Sequence, residues 1–218
     1  MEITIMMENT CRVDQTVVNK GLILIPDISG FTQYMSASSL AHSQANIARL
    51  LSSIIDSNKL DLSISEIEGD AILFYKFNEN SSFEKLSNQI ELMYISFHKT
   101  LNEINQLNNC KCGACNLLYD LKIKFIVHYG EIGSVRVNDA CKLFGIDIII
   151  AHRLLKNDLL IKEYALFTES SLKHYSANSV NNHSDWANPV KAQMFYDHIG
   201  EYNFYYTELN FLKESFTY

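Results

Sequence analysis

The chain has little proline, little glycine and no long hydrophobic run. Two prolines and eight glycines among 218 residues exclude collagen-like and Pro/Gly-rich disordered chains. No apolar stretch approaches the roughly 20 residues that a membrane helix needs. The first residues, MEITIMM, lack the basic region and apolar core of a signal peptide. We therefore expect a cytoplasmic protein without a membrane partner.

Positive charge is also scarce. Eighteen Lys and Arg against 25 Asp and Glu give a net charge of −7, and the basic residues form no run. Broad nucleic-acid binding needs a basic face that displaces counterions, so we expect no nucleic-acid partner. A nucleoside triphosphate is still compatible with this charge, because a metal ion and a few local cations can neutralise it.

The length and the 47% hydrophobic content suit one globular domain with a sizeable core. We expect an N-terminal arm over residues 1–20 and a single domain over 21–218. Hydrophobic periodicity predicts helices over 38–56, 83–107 and 146–155, and strands over 21–26, 60–67, 71–77, 121–128, 131–137, 163–168 and two within 193–207.

The order of these elements is β-α-β-β-α-β followed by further strands. It predicts an α+β fold with a ferredoxin-like βαββαβ core, helices on one face of the sheet and extra C-terminal strands. We expect strand 131–137 to pair with 121–128 across a turn at Gly130, and residues 177–190 to form a polar loop.

Two aspartates lie beside apolar strands. Asp27 follows the run GLILIP, and Asp70 ends EIEGD just before AILFY. Carboxylates beside glycine-bearing turns at strand ends are well placed to hold a hard cation against phosphate oxygens. If the two strands are neighbours, the chain has a two-carboxylate metal site. The alternative is a pair of solvated turn aspartates.

Three motifs in order resemble the catalytic domain of class III nucleotidyl cyclases, the adenylate/guanylate cyclase superfamily. They are residues 26–32 (PDISGFT), 66–70 (EIEGD) and 144–154 (FGIDIIIAHRL), and the resemblance covers about residues 21–207. Residues 110–115 (CKCGAC), 125–131 (FIVHYGE) and 152–157 (HRLLKN) look more closely like an uncharacterised bacterial branch of cyclase-like proteins.

The resemblance implies a class III cyclase fold and a phosphorus-oxygen lyase that converts a nucleoside triphosphate to a 3′,5′-cyclic nucleotide and pyrophosphate. Such sites form at a homodimer interface and use two Mg²⁺ or Mn²⁺ ions. It implies that Asp27, Asp70 and the Ile28 carbonyl hold the metals. The turn that follows would bind the phosphates through Ser29, Gly30, Phe31 and Thr32.

Arg153 matches the arginine that stabilises the transition state, supplied by the second subunit. A surface arginine near a helix C-terminus is the alternative. Four residues earlier, active members of the family have asparagine, whereas this chain has Ile149. Losing one transition-state contact can cost on the order of 100- to 1,000-fold in rate. Asp147 or Asn157 are candidates to compensate.

The residues at the base-selecting positions are Glu66 and Lys142. A carboxylate that accepts and an ammonium that donates favour GTP or a pyrimidine nucleotide over ATP. The alternative is a salt bridge across an empty pocket. Enzymatic activity therefore stays open, and the competing hypothesis is a catalytically degenerate cyclase-homology domain that binds a nucleotide or regulates a partner.

Three of the five cysteines lie in one short segment, as Cys110, Cys112 and Cys115. In a cytosolic protein such a cluster binds metal or stays reduced more often than it forms disulfides. Zinc usually takes four ligands, so a zinc site here needs a fourth ligand from His98, His128 or another subunit. A third hypothesis follows, in which this loop makes the protein a metal-stabilised interaction module.

Overall fold

The computed structural model describes residues 18–37, 40–107, 117–138, 140–176, 186 and 189–216. The strands are β1 (Asn19–Ser29), β2 (Ser63–Glu68), β3 (Ala71–Phe77), β4 (Lys122–Val137), β5 (Ala140–Phe144), β6 (Tyr164–Thr168), β7 (Val190–Tyr196) and β8 (Gly200–Glu208). The helices are α1 (Phe31–Ala37), α2 (Leu40–Asp56), α3 (Phe83–Leu107), α4 (Ile146–Leu154) and α5 (Glu169–Ser176), with short 3₁₀ segments at Leu118–Asp120 and Asn210–Phe216.

The strands form one mixed sheet in the order β2-β3-β1-β4-β6-β8-β7, with β5 paired to β4. The first four strands of this order are those of a ferredoxin-like unit, which confirms the predicted α+β core. β6 runs parallel to β4, and β8 and β7 extend the sheet with antiparallel pairings. These are the extra C-terminal strands that the sequence predicts.

Both faces of the sheet are covered. In β1, Leu22 and Leu24 point into a core shared with α2 and α3, whereas Ile23 and Ile25 point into a second core with α4. This alternation is the period of two that a strand imposes. The expectation that helices lie on one face is therefore wrong, because the apolar side chains of α4 pack on the opposite face from α2 and α3.

The predicted turn at Gly130 is also wrong. β4 continues through Gly130, which pairs with Gly21 of β1, and the end of β4 pairs instead with β5. A Cβ at position 130 would collide with the Asp147 carboxylate. The glycine therefore makes room for a side chain of α4 rather than for a turn.

Three helices show which elements the hydrophobic periodicity of the sequence can predict and which it cannot. The strong apolar repeat of α3 gives the predicted bounds, Phe83–Leu107. The predicted helix 38–56 is preceded by a second helix, α1, in which Tyr34 is the buried residue and no apolar repeat is visible. α5 was not predicted, because apolar periodicity does not detect a buried position that is polar. That position is Ser171, whose hydroxyl bonds to the carbonyls of Val127 and Thr168.

Candidate active site

The sheet brings Asp27 and Asp70 together. β1 and β3 are antiparallel neighbours with Asp27 opposite Ala71, and the Ile28 amide donates to the Asp70 carbonyl at 3.2 Å. Burial, followed by repulsion from Asp27, raises the pKa of Asp70 to about 6. The two strands are thus neighbours, which is the condition that the two-carboxylate hypothesis requires.

Lys124 is a third charged group at this place. Its ammonium lies 3.2 Å from Asp27 Oδ1 and donates to the Leu155 carbonyl at 3.0 Å. Burial raises the pKa of Asp27, and the nearby Lys124 offsets part of that rise. Sequence reasoning missed Lys124, since only the register of β4, which places it opposite Asp27, reveals its position.

Two carboxylates facing one ammonium leave an excess of negative charge that suits a hard cation. Mg²⁺ is held in proteins by one or two carboxylates, with water and substrate phosphates completing its coordination. Over the described ranges, no group of three or more His, Cys, Asp or Glu residues could hold a metal by itself. The residues present fit a divalent metal that is bound jointly with a phosphate ligand.

The Ser29–Thr32 turn follows Asp27 and opens α1. Gly30 has a φ of +90° and its carbonyl accepts from the Tyr34 amide at 3.0 Å. This left-handed conformation favours glycine. The Ser29 hydroxyl donates to the Lys162 carbonyl at 3.2 Å, so the Ser29 side chain already has a partner, while Gly30 and Thr32 are exposed.

Glu66 and Lys142 also meet. The Lys142 ammonium lies 3.7 Å from one carboxylate oxygen of Glu66, and His152 Nε2 lies 3.5 Å from the other. Both oxygens of Glu66 therefore face a basic group of the same chain. His152 was not identified from the sequence, although its place beside Arg153 in the third motif was the signal that could have found it.

Ile149 and Arg153 lie one turn apart on α4, so they share a helix face. Ile149 is 48% exposed, and Arg153 is also exposed. An isoleucine on this surface offers no hydrogen bond to a ligand that contacts Arg153.

Asp147 and Asn157 do not supply the missing amide. Asp147 accepts from His128 Nε2 at 2.9 Å and from the Glu131 amide at 2.7 Å. Asn157 bonds to the Leu154 carbonyl and the Tyr164 hydroxyl, each at 2.7 Å. The expectation that either residue compensates for Ile149 is not supported, because both side chains are held in structural hydrogen bonds.

Cys110, Cys112 and Cys115 lie outside the described residues, so a zinc site on that segment stays a prediction. Cys141, on β5, is disulfide-bonded. Among the described residues, no helix is long and apolar enough to cross a membrane.

The architecture is that of adenylyl and guanylyl cyclase domains. The chain is similar to the guanylyl cyclase Cya2 (TM-score 0.65, 12% identity, covering 87% of this chain and 92% of that one). It is also similar to the adenylyl cyclase CyaB from P. aeruginosa (TM-score 0.63, 10% identity, 89% and 96%). A third match is the guanylate cyclase domain of RhGC from Catenaria anguillulae in complex with GTP (TM-score 0.56, 14% identity, 86% and 95%).

By sequence, the chain belongs to the family described as protein of unknown function (DUF2652), whose profile matches residues 47–164. It is 32% identical over 123 residues to the uncharacterized protein Rv2561/Rv2562 of Mycobacterium tuberculosis (strain ATCC 25618 / H37Rv). That match covers 56% of this chain and 57% of the relative, so the chain spans little more than half of the relative's length.

Proposed function

We propose that the protein is a class III nucleotidyl cyclase-like enzyme. It converts a nucleoside triphosphate to a 3′,5′-cyclic nucleotide and pyrophosphate at a homodimer interface. The observation that supports this most strongly is the adjacency of Asp27 and Asp70 at the end of β1, with the Asp70 pKa raised by burial and by repulsion from Asp27. The match to a guanylate cyclase domain solved with GTP supports a nucleotide as the ligand.

In this proposal Asp27 and Asp70, with the Ile28 carbonyl, would hold two Mg²⁺ or Mn²⁺ ions, and these ions would supply charge neutralisation at the phosphates and a lower pKa for the attacking hydroxyl. The exposed turn from Ser29 to Thr32 contacts the terminal phosphates. The ribose 3′-oxygen forms a bond to the α-phosphorus, the bond from that phosphorus to the bridging oxygen breaks, and pyrophosphate leaves. The hydroxyl proton passes to solvent.

Arg153 of the second subunit stabilises the charge that develops on the α-phosphate. A planar guanidinium binds phosphate oxygens in a bidentate manner that an ammonium cannot reproduce. Exposure of Arg153 on α4 leaves it available to a neighbouring copy of the chain.

Base selection rests on Glu66 and Lys142. Guanine has N–H donors for a carboxylate and a carbonyl for an ammonium, whereas the Watson–Crick edge of adenine has no carbonyl. We therefore propose GTP or a pyrimidine nucleotide as substrate rather than ATP. The approach of His152 to Glu66 adds a second basic group to this pocket.

A second candidate function is nucleotide binding or regulation without turnover. Ile149 supports it, together with the observation that Asp147 and Asn157 are bonded elsewhere. In that case the metal-phosphate site persists and the transition-state contact is lost.

One experiment separates the two. The purified protein is incubated with ATP, GTP, CTP or UTP and Mg²⁺ or Mn²⁺, the products are resolved by mass, and nucleotide binding is measured for the native chain and Asp27→Ala. We expect a cyclic product from GTP or a pyrimidine nucleotide and weaker binding by the variant. Binding without product supports the second function. No product, with binding that Asp27→Ala leaves unchanged, contradicts both.

A further inference from the structure

A cavity of about 410 Å³ lies between the end of α2, the end of β3 and the first turns of α3. Lys76, near the end of β3, is one of its lining residues, whereas Asp70 precedes the start of that strand. Six residues of extended chain span about 20 Å. The cavity is thus remote from the carboxylate pair and belongs to none of the functions proposed above.

Three lysines line this cavity, and one of them is already paired. Lys76 Nζ donates to the Leu60 carbonyl at 2.6 Å and lies 3.4 Å from Oε2 of the buried Glu79. Within the part of the chain that the structure describes, the ammonium groups of Lys59 and Lys85 form no ion pair or hydrogen bond. The lining carries these three lysines against two carboxylates, Asp61 and the Glu79 that pairs with Lys76, so its formal charge is positive on a chain whose net charge is −7.

Ser81 adds a buried hydroxyl. Its Oγ lines the cavity and makes no full hydrogen bond among the described residues, although it lies close enough to the Glu79 carboxylate to lower the pKa of that group. Buried polar groups usually have a hydrogen-bond partner, and an oxyanion in the cavity would accept a hydrogen bond from this hydroxyl.

We propose that this cavity binds the phosphate group of a small molecule. Lys59 and Lys85 neutralise the phosphate, and the Ser81 hydroxyl donates to one of its oxygens. Leu60 and Leu92, which also line the cavity, offer apolar surface to an organic part of the ligand. The volume lies within the range of roughly 300–1,000 Å³ that is typical of small-molecule sites.

The test uses the full chain carrying Asp70→Asn, in EDTA, so that the carboxylate pair and its metal do not contribute. Calorimetric titrations compare inorganic phosphate, adenosine 5′-monophosphate and uncharged adenosine. We expect both phosphates to bind in competition with each other and adenosine to bind far more weakly. Tighter binding of the nucleotide assigns the site to an organic phosphate, and equal binding assigns it to free phosphate; both support the proposal.

Single and double variants test whether phosphate binds in this cavity. Lys59→Ala combined with Lys85→Ala should weaken phosphate binding at least tenfold, Ser81→Ala should weaken it several-fold, and Lys85→Arg should retain it. Lys99→Ala, which removes an exposed lysine of α3 outside the cavity, is the matched control and should have no effect. The proposal is overturned if neither phosphate binds at millimolar concentration, or if the double variant binds as the parent does.

Discussion

The negative charges of Asp27 and Asp70 destabilise the folded protein when no metal ion is bound. Burial raises both pKa values, and repulsion from Asp27 helps to raise that of Asp70 to about 6 from an ordinary 3.8. Because the folded chain binds the Asp70 proton more tightly than the unfolded chain, its stability falls as pH rises from about 4 through about 6. This is the opposite of the usual trend for a paired carboxylate.

Replacing Asp70 with asparagine should therefore stabilise the metal-free protein. In EDTA we expect Asp70→Asn to raise the free energy of unfolding by about 1 kcal/mol at about pH 8, a value discounted for partial exposure, and to lose that gain near pH 4. Urea unfolding at the two pH values measures it. Asp158→Asn, at an exposed aspartate, is the control, and a loss of stability in Asp70→Asn at the higher pH would contradict the argument.

Ile149 offers the second test at this scale, and it depends on the proposed cyclase activity. Ile149→Asn restores a hydrogen-bonding amide one turn before Arg153, so we expect turnover to rise on the order of 100-fold. Ile149 is exposed, so the fold should tolerate the change. The rate of cyclic nucleotide formation, resolved by mass, measures the effect.

Leu160→Asn provides the control, since Leu160 is likewise exposed but lies outside α4 and outside the candidate site. It should leave the rate unchanged. If Ile149→Asn binds nucleotide and still forms no product, the binding function without turnover is favoured instead.

At the scale of elements, one buried carboxylate joins three segments. Glu163, beside β6, lies 2.7 Å from His98 of α3 and 2.8 Å from Lys213 of the last 3₁₀ segment. Burial raises the pKa of Glu163, but the hydrogen bonds from His98 and Lys213 outweigh it and hold that pKa below its ordinary value. The ionised form therefore stabilises the fold.

Glu163→Gln should destabilise the protein by about 2–3 kcal/mol near neutral pH, because hydrogen bonds to a buried charge are lost. A depressed pKa gives stability that is present above the unfolded value, near 4.5, and disappears as pH falls through the folded one. The difference should therefore shrink towards about pH 3. Denaturant unfolding at both pH values measures it.

The exposed pair Glu169–Lys173, at 3.0 Å, is the comparison for this change. Glu169→Gln should cost less than about 0.5 kcal/mol, as is usual for a surface ion pair on a helix. Equal costs for the two variants would mean that Glu163 does not join these segments as described.

The sequence predicts those elements whose packing leaves a regular pattern. The apolar repeat of α3 and the continuous apolar run of β1 give the places of these elements directly, because α3 buries one face and β1 buries both. Gly130 shows the limit of such reasoning. Its lack of a side chain suggests a turn, yet the space is taken by the carboxylate of Asp147, which comes from α4.

The candidate site shows the same division. Asp27 and Asp70 are found from local motifs because the turns that hold them are local. Lys124 and His152 are not, since each meets its carboxylate partner through strand register or helix placement. The hydrogen bond between Asp147 and His128 likewise cannot be predicted from the sequence, because it forms only when α4 packs on the sheet.

At the scale of the whole molecule, α4 and the last residue of β5 carry exposed apolar side chains. Phe144, Ile146 and Ile149 are 68%, 56% and 48% exposed, close along the chain to the exposed Arg153. Apolar patches of this kind mark interaction surfaces. A second copy of the chain covering this surface agrees with the proposed homodimer, in which Arg153 acts on the neighbour's metal site.

Complementation between inactive variants tests that arrangement. Asp70→Asn removes a metal ligand and Arg153→Ala removes the transition-state arginine, so each variant alone should be inactive. If a site takes Asp70 from one subunit and Arg153 from the other, a mixed dimer keeps one intact site of two. Random exchange makes half of the dimers mixed, so co-expression should restore about a quarter of the native activity.

Activity in the mixture no higher than the sum of the separate variants would place both residues in a site within one chain. The conversion of the favoured triphosphate, followed by mass, gives the measurement, and a mixture of Asp27→Ala with Asp70→Asn is the control that should stay inactive, because both variants damage the same half of the site.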